Sequence, residues 1–161
     1  MKSRITLGLI VLTTCFASAS MAQSETWMAN IGVQLATQLD SESRAVKSQA
    51  IQKIHYFALY QTAIDLSTTV PALVGVYKND PDRKLRLAAV AALHAIGDDA
   101  GMQAVRKQVI HETDQQVQMV SIAALRDHFG LGTFANSKEI GQMARAILDN
   151  IKARDQALAR K

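Results

Sequence analysis

The chain has 161 residues, of which 48% are apolar, 20% charged and 5% aromatic, with a formal net charge of +4. Two Pro and eight Gly leave long stretches without a strong breaker. This balance suits one globular domain of packed helices and argues against a disordered tail, a collagen-like fibre, a multidomain enzyme or a β sandwich.

The first residues read as a leader. Lys2 and Arg4 precede an apolar run from Ile5 to Phe16, and Ala17-Ser18-Ala19 and Ser20-Met21-Ala22 supply small-residue cleavage sites. This is the pattern of a secretory signal peptide, and the run is too short to span a bilayer. The expected division is residues 1–22 as signal peptide and 23–161 as a single domain, exported to the periplasm or outside the cell. Cleavage after Ala22 removes the only cysteine, Cys15, and with it disulfide and thiol chemistry. An alternative keeps Cys15 as a lipidated N-terminus, since Leu12-Thr13-Thr14-Cys15 weakly resembles a bacterial lipobox, with Thr14 where a small residue is usual. Loss of Lys2 and Arg4 lowers the net charge to +2, which speaks against a ligand bound by phosphate neutralisation.

The remainder reads as about seven helices without a strand. Ser24 is placed to cap a first helix with Trp27, Ile31, Leu35 and Leu39 on one stripe. A second starts near Ser43 and carries Val46, Ala50, Ile51, Ile54, Phe57 and Ala58. A third starts at Thr69 with Pro71 in its first turn and buries Val70, Leu73, Val74 and Tyr77. Asn79-Asp80-Pro81-Asp82 offers an Asp cap with Pro at the first helical position, opening a helix that ends at Gly97. Asp98 or Asp99 caps a short helix through Met102, Val105 and Val109. Thr113 with Gln116 reads as a capping box for a helix that Gly130-Leu131-Gly132 breaks, and Asn136 with Glu139 opens a last one through Ile140, Ile147 and Leu158.

An internal repeat organises these helices. A shift of 32 lays Leu85–Leu93 (LRLAAVAAL) on Val117–Leu125 (VQMVSIAAL), and a shift of 39 lays Val46–Ile54 (VKSQAIQKI) on the former. Periods of this size mean stacked units. Leu85, Ala89, Ala92, Leu93 and Ile96 form one stripe of the middle helix, with Leu87, Val90 and Ala91 off it. Such a helix must be covered on more than one side.

PDRKLRLAAVAALHAIGDDAGMQAVRK resembles a HEAT repeat of the short bacterial type, also called PBS-lyase-like, through its Asp-Pro-Asp start, Leu85-Arg86, Ala91-Ala92-Leu93 and Ile96-Gly97-Asp98. The best-matching repeat is 81–112. Weaker copies are 43–80, with an insertion of about seven residues around Tyr60 to Leu66, and 113–160. The family's basic residue stands as Arg86, is resembled by Lys47 and is replaced at Gln118. The resemblance implies an all-α, short α-solenoid of about three HEAT-like helical hairpins with N- and C-terminal capping helices. It also implies a non-catalytic module that binds another protein on its grooved face, lined by the second helix of each hairpin.

Candidate sites are few. His111-Glu112 lacks the second histidine of a metalloprotease helix, Gln115 standing in its place, and His55, His94 and His128 read as structural or surface residues. A metal-dependent HEAT-like enzyme is the weakest alternative. No nucleophile elbow or phosphate loop is present, and no cofactor or catalytic residue is expected. Asp98-Asp99 reads as a cap. The row Gln103, Lys107 and His111 at spacing four, with Arg106 alongside, is a candidate contact for an acidic protein partner. Lys138, Arg145 and Lys152, spaced by seven, form a second row for an acidic protein or an anionic membrane.

Overall fold

The computed structural model describes residues 30–130, together with Trp27 and the positions 138, 141, 142, 145, 149, 152, 153 and 156. The leader, Cys15, the Ser24 cap and the Asn136–Glu139 helix start lie outside the described residues. Helix α1 occupies 30–39. It is followed by α2 (Arg44–Tyr60), a single 3-10 turn (Ser67–Thr69), α3 (Val70–Asn79), α4 (Arg83–Ile96), α5 (Asp99–Gln108) and α6 (Gln115–Phe129). Among the described residues there is no strand. The expected insertion in the first repeat is a loop over 61–66.

Local chemistry sets the boundaries. Asp82 caps α4 by accepting the Lys84 amide at 2.8 Å, and Asp98 caps α5 by accepting the Gly101 amide at 2.7 Å. Asp114 caps α6 by accepting the amides of Gln116 and Val117. Each such cap is worth about 1 kcal/mol. Gly97 closes α4 at φ 71°, a left-handed conformation that glycine adopts without a Cβ penalty. Three sequence expectations are corrected. Pro81 precedes the cap rather than opening the helix, because Asp82 and not Asp80 holds the cap. Thr113 is not the cap of α6. Val74 is only half-buried, Val76 taking its place in the core of α3.

The helices alternate between two layers. In the even-numbered layer α4 packs against α2 on one side and α6 on the other, while α3 and α5 pack on each other and on α4 in the odd-numbered layer. Helix α1 lies beside α3: Gly32 approaches the Asp65 carbonyl and Thr68 Oγ1, and Leu39 shares a groove with Asn79 and Asp80. The segments around Val46, Leu85 and Val117 are therefore successive helices of one stack. Leu85, Ala89, Val90, Ala92 and Leu93 of α4 are buried, as its two apolar faces require, and only Ala91 turns out to be exposed.

Charged contacts link the connectors. Lys47 Nζ donates to Asp80 Oδ2 at 2.7 Å, and Arg86 Nη2 donates to Glu112 Oε1 at 3.3 Å. Arg44 pairs with Asp82, and Arg83 with Asp114 at 3.8 Å. The inner two pairs matter more, because Asp80 and Glu112 are each 7% exposed. Burial raises the Asp80 carboxyl, but the Lys47 hydrogen bond, the Asp82 amide and the charges of Lys47 and Arg86 outweigh it and hold the group below the ordinary carboxylate range. Removing one partner of a buried pair leaves an uncompensated charge. Arg86→Met is expected to cost about 2–4 kcal/mol in urea unfolding, and addition of Glu112→Gln to recover part of that loss.

Candidate binding surfaces

The α5 row is built by the amphipathic turn of that helix. Gly101, Met102 and Val105 face inward, which turns Gln103 and Lys107 to solvent. Helix α5 ends at Gln108, so His111 sits in the following turn rather than on the helix, with its amide donating to the Gln108 carbonyl at 2.9 Å. It is exposed nonetheless. Arg106 is half-buried and engaged within the protein, which separates it from the exposed row. Lys78, in the last turn of α3 in the same layer, is also exposed. Lys138, Arg145 and Lys152 are each helical and exposed, and Lys138 is engaged in an interaction.

The histidines are tied to structure at two of their four positions. His94 Nε2 lies 2.9 Å from Asp127 Oδ2, joining α4 to α6, and His128 Nε2 lies 2.8 Å from Asp99 Oδ1, joining α6 to α5. Asp98 and Asp99 thus divide their work, one capping and the other bridging. Glu112, beside exposed His111, is turned inward to Arg86 and to the Asp114 amide, so the pair does not form a ligand set. Among the described residues no group of three or more His, Cys, Asp or Glu is placed to hold a metal ion, and no helix is long and apolar enough to cross a membrane.

Inside the stack Tyr77 of α3 reaches Ser121 of α6, the two oxygens 3.1 Å apart, and Ser121 donates to the Val117 carbonyl at 2.8 Å. Burial pushes the Tyr77 phenol up to about 12. This hydroxyl is a core fastening and has no route to a ligand.

Two grooves flank the odd-numbered layer and the loop. One, of about 660 Å³, runs between α1 and α3 over Ala36, Pro71, Ala72 and Gly75, with Asp40, Lys47 and Asp80 at one end. The other, of about 450 Å³, lies under the 61–66 loop, with Phe57, Ile64, Leu66 and Ile96 as its apolar wall and Asp65 and Asp98 at its rim. Sequence reasoning passed over both, and over the exposed cluster of Tyr56, Leu59 and Tyr60 on α2, where the two tyrosine rings stand 5.1 Å apart. The spacing of four in HYFALY was the available signal for that cluster.

Glycine has opposite meanings on the two helices that flank the larger groove. A Cβ at Gly32 would stand 2.6 Å from the Asp65 carbonyl oxygen, whereas one at Gly75 would meet nothing within 4 Å. Gly32→Ala is expected to lower the thermal midpoint by pushing α1 off the loop. Gly75→Ala should raise stability by up to about 1 kcal/mol through helix propensity alone. Thermal melts of the two variants against the parent check both signs.

Residues 33–126, more than half of the chain, match the family model described as HEAT repeats. No curated protein and no solved structure matches the chain.

Proposed function

This chain belongs to the HEAT-repeat family, and we propose that it serves as an exported, non-catalytic module that docks an acidic segment of another protein on the flank formed by α3 and α5. Stacked helical repeats present extended surfaces and use them for binding. The observation that carries the reading is Gln103 and Lys107, exposed on α5, with His111 exposed in the turn that follows it and Lys78 exposed on the neighbouring helix of the same layer. The leader pattern at Lys2–Ala22 supports export to the periplasm or beyond. The turned-in Glu112 and the paired His94 and His128 support a binding role over a metal-dependent one. The lipid-anchored alternative through Cys15 rests on the Leu12–Cys15 segment and is separated by intact mass of the purified envelope protein.

The test uses Lys107→Glu with His111→Glu, since both side chains are exposed and neither holds the fold. Charge on a docking face governs encounter and register. The double variant is expected to keep the parental thermal midpoint and to lose partner recovery from an envelope extract by tenfold or more. Unchanged recovery contradicts the reading.

A further inference from the structure

The insertion over 61–66 does more than join α2 to the next helix. Ile64 and Leu66 turn inward and are 9% and 6% exposed, which pins the loop to the protein above a groove of about 450 Å³. Phe57 and Ala58 of α2 and Ile96 at the end of α4 line the same groove and are each half-buried, so apolar surface stays open to it. A helix with its side chains is about 10 Å across. A groove of this volume therefore fits an extended stretch of a few residues rather than a helix.

The formal charge lining this groove has one sign. Asp65 stands on the loop and Asp98 at the start of α5, and none of the lining residues is Lys, Arg or His. Lys53 and His55 precede Phe57 on α2 and stay outside the lining. Both carboxylates are held in place by the backbone: Asp65 Oδ1 accepts the Ser67 amide at 2.9 Å, and Asp98 Oδ1 accepts the Gly101 amide at 2.7 Å. Each has a second oxygen beyond the one so engaged. The Ser67 amide and hydroxyl hold the Asp65 carboxyl below the ordinary carboxylate range, so it is ionised at neutral pH. Asp80, Asp82, Asp99, Glu112, Asp114 and Asp127 each meet a base within the protein. Among the described residues Asp65 and Asp98 meet none.

The apolar surface continues from the groove along α2. Tyr56 meets Phe57 edge-on with ring centres 5.9 Å apart, and Tyr60 stands 5.1 Å from Tyr56. At 100° per residue Tyr60 lies about 60° around the helix from Phe57. Tyr56, Leu59 and Tyr60 are all exposed by half or more. Tyrosine faces attract cations, and the stem of a lysine or arginine packs on apolar surface while its charged head reaches outward.

We propose that this groove docks a short extended segment of a partner protein in which a lysine or arginine stands beside an apolar residue. The apolar side chain lies against Phe57 and Ile96, and the cation reaches Asp65 and Asp98. The chemistry is opposite to that of the α5 flank, and Lys107 and His111 take no part in it.

Asparagine caps a helix as well as aspartate does and supports the same local turn. Asp65→Asn with Asp98→Asn therefore removes the charge and keeps the fold. The probe is the peptide acetyl-Leu-Arg-Leu-amide, titrated into the nitrogen-15-labelled protein, with acetyl-Leu-Glu-Leu-amide as the comparison. The arginine peptide is expected to shift the amides of 57–67 and 96–98, and the glutamate peptide to leave them in place. Its affinity should fall tenfold or more in the double variant, because the charge-assisted bonds are lost. Lys107→Glu with His111→Glu should bind it as the parent does. No shift in this region with the arginine peptide up to about 10 mM, or equal shifts with the glutamate peptide, overturns the inference. So does undiminished affinity in a double variant that melts like the parent. Shifts in this region that follow the concentration of the parent alone assign the groove to a second copy and overturn it as well. Should the double variant melt below the parent, Asp65→Asn alone takes its place, with the same outcomes read at threefold or more.

Discussion

Helix α4 packs against four neighbouring helices, and the remaining helices take their places from that requirement. Its Leu85, Ala89, Val90, Ala92 and Leu93 have no exposed edge. A helix apolar around so much of its circumference is not stable in water by itself. Helices α2 and α6 cover two of its sides in one layer, and α3 and α5 cover it from the other. The alanines matter as much as the leucines, since Ala89 and Ala92 let adjacent axes come close, and every methyl in such an interface is packed against several partners. Burial at roughly 25 cal/mol per Å² makes this packing the main source of stability, ahead of any ion pair.

The charged ladder has a different task. Apolar contacts between similar repeats tolerate sliding, but Lys47 meets Asp80, and Arg86 meets Glu112, in one register only. Buried pairs of this sort add little net stability, yet a shifted register would leave a carboxylate buried and alone. Tyr77 adds a second constraint of this kind by joining α3 to Ser121 of α6. Packing thus holds the layers together while polar contacts fix where each layer sits.

The sequence disclosed this architecture where the deciding chemistry was local. Asp82, Gly97 and Asp98 mark helix ends through bonds to residues within a few positions, and the repeated order of small and large residues marks the layers. Errors arose where the arbiter lay far along the chain. Asp80 and Asp82 both flank Pro81, and either satisfies a capping rule; Lys47, 33 positions away, draws Asp80 out of contention. Arg106 reads as a neighbour of Lys107 on a helix face, but only the packed structure shows it half-buried and engaged. Ala91 is apolar and exposed because a single methyl loses little in water. The candidate site was legible as a pattern of exposed side chains on α5, not as a site, since an interaction surface needs no particular chemistry within the chain. The grooves by α1 and under the 61–66 loop left no periodic signature at all.

A stack whose middle layer depends on both neighbours must open as a unit, and amide hydrogen exchange resolved along the chain measures this directly. The amides of Leu85 to Leu93 in α4 should be the slowest to exchange, opening only when α2 and α6 open with them. Exchange in α4 as fast as in α1, or α2 and α6 staying protected after α4 has opened, would contradict a structure organised around that helix.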